Sequence, residues 1–152
     1  MKLLEVKKGG IIQRQGDLNS KIYLVEKGLL RSYTIDKKGK EHIFMFGPEG
    51  WVVADTNPAD IPAELFIDAL EDSIVHVAEK EPSKEIQNIK PLLKRLSVLQ
   101  KRVLMLMSAS AIERYQHFIK TYPNILLRVP QKMIASYLGI TPEALSKIKR
   151  NL

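Results

Sequence analysis

The sequence predicts an α+β protein in three parts: an N-terminal β-roll of jelly-roll type, a long dimerisation helix and a C-terminal helix-turn-helix domain. Three observations predict it. Residues 3 to about 79 alternate short apolar runs with glycine-rich turns, at the close spacing of an all-β sandwich or barrel. Leu92, Leu96, Leu99, Val103, Leu106 and Ser110 then recur at steps of 4, 3, 4, 3 and 4, the seam of a dimerising coiled coil. Finally, residues 131–150 (QKMIASYLGITPEALSKIKR) read as two short helices about a tight corner. The resulting domain boundaries are 1–81, 82–110 and 111–152.

In the roll, strands are expected at 3–6, 11–14, 22–26, 29–35, 41–46, 64–70 and 74–78. Between them fall Lys8-Gly9-Gly10, Gln15-Gly16-Asp17, Lys27-Gly28, Asp36-Lys37-Lys38-Gly39 and Gly47-Pro48-Glu49-Gly50, all turn formers. Asp36 to Gly39 joins two β-rich runs as a hairpin. No helical period competes over this stretch, and no internal repeat is present.

The next element is expected to begin near Pro82 and to be helical by residue 92. Beside the heptad seam, Leu93, Leu104 and Met107 make a second apolar stripe. Two stripes exceed what a helix at a domain edge can hide, so one is expected to pack on the roll and the other on a second copy of the chain. Burial of both inside one monomer is the alternative. Residues 111–122 read as a further helix ended by Pro123-Asn124, and 125–129 as a short strand.

In 131–150, Ile134, Ala135 and Leu138 line one face of the first helix, and Leu145 and Ile148 one face of the second. Gly139 can take the positive φ of a sharp corner, and Ile140 follows as an apolar plug. Thr141 supplies an N-cap, Pro142 the first helical position and Glu143 an acid in the first turn, where the helix dipole favours it. The same pattern would suit an αα-hairpin buried in a core. Against that stand Ser146, Lys147, Lys149 and Arg150 on the outward face.

Composition narrows the classes. With 152 residues, 45% of them hydrophobic, a sizeable core is available and global disorder is excluded. There is no cysteine, which excludes disulfides, thiolate metal sites and cysteine nucleophiles. No apolar run has the length of a membrane span, and no signal-peptide core follows the first residues, so a soluble, cytoplasmic protein without membrane contact is expected. The net charge is +7, and it is unevenly placed. Residues 1–90 hold 13 Lys and Arg against 15 Asp and Glu, whereas 91–152 hold 11 against 2. A basic C-terminal part carrying a two-helix motif fits an electrostatic footprint for nucleic acid.

Taken together, Lys8-Gly9-Gly10-Ile11-Ile12, Gln15-Gly16-Asp17, Ile22 to Val25, Gly28 to Arg31, Asp36 to Gly39 and Ile67 to Ser73 resemble the cyclic-nucleotide-binding-like β-roll of the cyclic-AMP receptor and Fnr family of bacterial transcription regulators. Arg128 to Ile148 resembles that family's DNA-reading segment, in a form common among Bacteroidetes-type members. The resemblance covers nearly the whole chain and implies a homodimeric, sequence-specific DNA-binding transcription regulator. Its implied partners are double-stranded DNA, a second copy of the chain, RNA polymerase and an effector of unknown identity. The departures are informative. The phosphate-gripping Arg-Ser of the family's cyclic-nucleotide cassette falls on Ala63 and Glu64, so the bidentate guanidinium is missing and an acid would repel a phosphate. The loop 56–62 has no glycine to let backbone N–H groups cradle a phosphate, and the long helix no Thr-Ser pair for a purine. The expectation is a roll that does not respond to cyclic AMP. Fnr-type iron–sulfur ligation lacks its cysteines, so no cofactor is expected. The chain also looks short of helical residues before the first strand and of a complete β wing after the second helix.

Carried over from the family's docking mode, Glu143, Ser146 and Lys147 would face base edges. Thr141, Gln131, Lys132, Lys149 and Arg150 would meet phosphates, and Pro142 stands where relatives often place a base-reading Arg. A sensor module acting through protein contacts, with a weak DNA-binding end, is the second reading. An enzyme is not expected. His42, His76 and His117 are isolated, no Ser-His-Asp spacing or Gly-rich phosphate loop stands out, and Asp68, Glu71 and Asp72 read as turn and surface charges. Neither catalytic nor metal-ligating residues are assigned.

Overall fold

The computed structural model of the chain describes residues 1–80 and 89–152; of 89–92 and 108 it describes the backbone alone. The chain divides into two compact units, Met1–Ser83 and Lys84–Leu152. The first holds two four-stranded antiparallel sheets, the second four helices among the described residues, so the α+β expectation is met.

The strands are β1 (Lys2–Val6), β2 (Ile11–Gln13), β3 (Ile22–Lys27), β4 (Leu30–Ile35), β5 (Glu41–Gly47), β6 (Val52–Ala54), β7 (Phe66–Ala69) and β8 (Ser73–Ala78). One sheet runs β1-β8-β3-β6 and the other β2-β7-β4-β5. Alternate residues point inward, as a two-sided strand requires. Tyr23 and Val25 from β3, Val53 from β6, Val75 from β8, Leu30 from β4 and Ile67 from β7 meet as one buried core. Gly28 turns the chain into β4 at φ +96°. A Cβ there would stand 2.2 Å from the Ser73 hydroxyl oxygen, so this turn closes only with glycine.

Two strand expectations change. Strand β6 is not among those expected, because three residues are too few to show alternation; it forms by pairing Val52, Val53 and Ala54 with β3. Strand β7 starts at Phe66 rather than at residue 64, because the amide N–H groups of Glu64 and Leu65 both donate to the Asp55 carboxylate instead of to a ladder.

In the second unit, α1 spans Ile89–Ser108, α2 Ala111–Thr121, α3 Gln131–Leu138 and α4 Pro142–Arg150. The expected start near Pro82 and the side chain of Leu92 lie outside the described residues. Ser110 is not the last position of the seam. It is the N-cap of α2, accepting from the Glu113 amide while Glu113 accepts from the Ser110 amide, a capping box. The strand expected at 125–129 is a pair of turns closed by Ile125 N–H to Tyr122 and Arg128 N–H to Ile125. Among the described residues this unit has no sheet edge to pair with it; Ile125 and Val129 are buried as anchors instead.

Candidate nucleic-acid interface

The corner between α3 and α4 is built by local chemistry. Gly139 takes the left-handed region at φ +67°, its N–H bonding Ser136 O at 3.2 Å and the N–H of Ile140 bonding Ala135 O at 3.0 Å. These two bonds close α3 as a Schellman motif. Thr141 then caps α4, its hydroxyl accepting from the Ala144 amide at 3.1 Å, with Pro142 at the first position. Beneath the corner lies an apolar floor of Ile134, Ala135, Leu138, Leu145 and Ile148, all buried. Phe118, Tyr122 and Tyr137 stack edge-on around it with ring centroids 5.4 to 5.6 Å apart.

Two arginines tie this floor to its neighbours, and neither drew notice in the sequence. Arg102 of α1 lies over the Tyr137 ring at 3.9 Å and donates to Tyr137 O at 3.1 Å. Its burial lowers the guanidinium pKa, and the same burial raises that of the Tyr137 hydroxyl. Arg114 of α2 donates to Leu106 O, Leu138 O and Ala109 O, satisfying carbonyls at the ends of α1 and α3. Helix α1 itself buries Met105, which belongs to neither apolar stripe. Leu96 and Val103 of the first stripe are 57% and 54% exposed, Leu99 and Leu106 are partly buried, and Leu93, Leu104 and Met107 of the second are exposed.

All eight residues assigned to DNA contact are exposed. With Leu145 and Ile148 turned inward, the 3.6-residue period puts Glu143, Ser146, Lys147 and Arg150 in one outward stripe along α4. Thr141 stands at the helix N-terminus, and Lys149 Nζ donates to Gln131 Oε1 at 3.0 Å, which joins the end of α4 to the start of α3 beside Lys132. Helix α4 has nine residues, about 14 Å of length, comparable with a B-DNA major groove about 12 Å wide. Its surface combines hydrogen-bond donors with one carboxylate acceptor, the groups that read base edges and hold phosphates.

The cassette positions in the roll are also placed. Ala63 is buried and locked by Ala63 N–H to Asp17 O and Gly16 N–H to Ala63 O, both 2.8 Å. Glu64 points outward. The acid that matters is Asp55, only 3% exposed. Its Oδ1 accepts from the Asn57 amide and its Oδ2 from the Glu64 and Leu65 amides, each at 2.8 Å. One amide of the glycine-free loop 56–62, that of Asn57, and those of Glu64 and Leu65 just beyond it gather about an anion, and that anion is the chain's own. These amides are engaged by Asp55, and Ala63 offers no guanidinium. Lys80 closes the arrangement from outside, donating to Ser20 Oγ, Asp55 O and Asn57 O at 2.7 to 2.8 Å.

Asp68 is likewise not a surface charge. It is buried in β7 directly opposite Arg31 of β4, which grips both its oxygens at 2.8 and 3.0 Å and reaches Glu41 at 2.6 Å. Burial works against the Arg31 charge, but hydrogen bonds to Asp68 and Glu41 hold its pKa above the ordinary value. The guanidinium also lies over Tyr33 at 4.0 Å, and Tyr33 stacks on Phe66 at 5.3 Å. An Arg and an Asp each flanked by residues of an apolar strand was the available signal. No described helix is long and apolar enough to cross a membrane.

Comparison with known proteins agrees with this geometry. The family model described as "Cyclic nucleotide-binding domain" matches residues 3–86. The "Anaerobic regulatory protein" of Haemophilus influenzae is 26% identical over 163 residues, covering 94% of this chain and 63% of its own length. "Regulatory protein HlyX" of Actinobacillus pleuropneumoniae is also 26% identical, with 94% and 68% covered. The chain thus spans less than two thirds of the length of the Haemophilus relative. Among solved structures, FixK2 from Bradyrhizobium japonicum superposes with a TM-score of 0.80 at 22% identity, over 99% of this chain and 83% of that one. TTHA1359 from Thermus thermophilus, a regulator of the CRP/FNR family, gives 0.79 at 17%, over 99% and 85%. Two opposed four-stranded sheets followed by a helical unit, matched over more than half the chain by the family model and nearly throughout by these relatives, make this chain a member of the cyclic nucleotide-binding domain family, of Crp/Fnr type.

Proposed function

We propose that the chain is a homodimeric, sequence-specific DNA-binding transcription regulator that does not respond to cyclic AMP. The observation that carries this reading is the exposed stripe Glu143, Ser146, Lys147 and Arg150 on a capped helix over a packed floor. In it, residues 131–150 act as a helix-turn-helix within a DNA-binding domain at 111–152. Glu143 accepts from a cytosine amino group, Lys147 donates to guanine O6 or N7, and Ser146 serves either. Gln131, Lys132, Thr141, Lys149 and Arg150 hold phosphates and set register. Leu92, Leu96, Leu99, Val103 and Leu106 of α1 pair with a second copy, which presents two reading helices to half-sites about 34 Å apart. The named relatives are regulatory proteins, in keeping with this reading and not with an enzyme.

A gel-shift series on genomic fragments at increasing salt tests it. A discrete band whose affinity falls steeply with salt is expected. Lys147→Ala should relax discrimination at one base position by about 1–3 kcal/mol. Absence of a specific band at low salt refutes the reading, and equal weakening on all sequences refutes the base-reading role of Lys147.

A further inference from the structure

The roll contains a second buried carboxylate besides that of Asp68. Asp55 follows β6, is 3% exposed, and among the described residues makes no ion pair with a guanidinium as Asp68 does. Three backbone N–H groups from two separate parts of the chain converge on it instead, those of Asn57, Glu64 and Leu65. Amides gathered in this way form an anion-binding concavity, because each presents the positive end of its dipole to one point. The loop between them is fastened on every side. Asn57 Nδ2 donates to Pro62 O at 2.9 Å, Asn19 N–H donates to Ala59 O at 2.7 Å, and Ala63 exchanges backbone bonds with Gly16 and Asp17. Lys80 adds a positive charge, its ammonium on the carbonyls of Asp55 and Asn57 and on the Ser20 hydroxyl.

We infer that the 55–65 loop is an anion site for a small carboxylate or oxyanion, kept permanently filled by the side chain of Asp55. The roll is therefore self-liganded: its loop adopts the closed arrangement with no diffusible anion, and an anionic effector meets a site already taken. A tethered carboxylate competes at an effective concentration no free anion matches, so added anions leave the native roll unchanged. Lys80 lies two residues beyond β8, so the filled loop is tied to the segment that follows the last strand of the roll.

Replacing Asp55 by Ala vacates the cradle and leaves three amides without a partner. Asp55→Ala should lower the Tm of the full chain, and sodium formate should restore it saturably where sodium chloride at equal ionic strength does not. The wild-type Tm should be indifferent to which salt is present. Hydrogen exchange at the amides of residues 57, 64 and 65 should accelerate about tenfold or more in the variant and slow again in formate. An Asp55→Ala protein as stable as wild type, or a destabilised one that formate does not rescue, overturns the inference. If the variant does not fold, the wild type still decides: protection of these three amides as a set supports the filled cradle, and exchange at open-loop rates overturns it. None of these readouts uses DNA, so their failure is distinguishable from failure of the regulator reading.

Discussion

Replacing Arg31 by Met is expected to destabilise the roll more than a change to either of its partners, Asp68 and Glu41. The side chain of Arg31 is 8% exposed and that of Asp68 11%, whereas Glu41 is 46% exposed. Arg31→Met therefore leaves Asp68 as a buried carboxylate without its partner, a loss of about 3–5 kcal/mol. Glu41 returns to water at little cost, so Glu41→Gln should cost about 1 kcal/mol or less. Asp68→Leu falls between them, since Arg31 keeps Glu41 and its seat over Tyr33. The double variant Arg31→Met/Asp68→Leu removes both buried charges and should be markedly more stable than Arg31→Met alone, because an apolar pair of similar volume stands in for the ion pair. Trp51, the single tryptophan, lies in the roll and reports its unfolding separately from the helical unit. In urea, with a slope of about 1–3 kcal/mol per molar, Arg31→Met should lower the midpoint by about 1 M or more. A cost below about 1 kcal/mol, or a double variant less stable than Arg31→Met, would show that this network does not hold the two strands together.

Two further outcomes follow from the helical unit. Leu96→Asp/Val103→Asp should convert a dimer into a monomer in sedimentation velocity. Burying each side chain stabilises by about 1.5–3 kcal/mol, so loss of both weakens association about a hundred-fold or more; an unchanged sedimentation coefficient would exclude this seam as the interface. His117 has a pKa held below its ordinary 6.5, first by burial and then by Arg102, Lys120 and Lys101. The unfolded chain therefore binds the proton more readily. Stability of the helical unit should fall as pH drops through 6.5 toward the lower folded value, and be complete above it. His117→Gln should flatten that slope, and an identical pH profile for variant and wild type would rule out His117 as its source.

Much of this molecule was legible from local chemistry. A turn that needs positive φ, a hydroxyl that caps a helix and an apolar period are properties of a few adjacent residues. For that reason Gly139, Thr141 and the face Ile134, Leu138, Leu145 and Ile148 are legible in the sequence, and so are seven of the eight strands among the described residues. Ser110 also carried its signal, Ser-Ala-Ile-Glu, which a heptad count overrode. Burial of charge was not legible in the same way. Whether Asp68 faces water or Arg31 depends on β4 and β7 being neighbours, a pairing of residues 37 apart in sequence. Whether the loop at 56–62 can hold an anion depends on where the amides of residues 57, 64 and 65 meet. The acid that fills their cradle is Asp55, not the Glu64 that an alignment by motif singles out. The sequence by itself determined the order of elements, the helix caps and the outward face of α4, because these are set by steric and hydrogen-bonding rules acting over three or four residues. Only the tertiary structure decided which charges are buried, which partners they take and what occupies the roll's amide cradle, because those depend on groups brought together from distant parts of the chain.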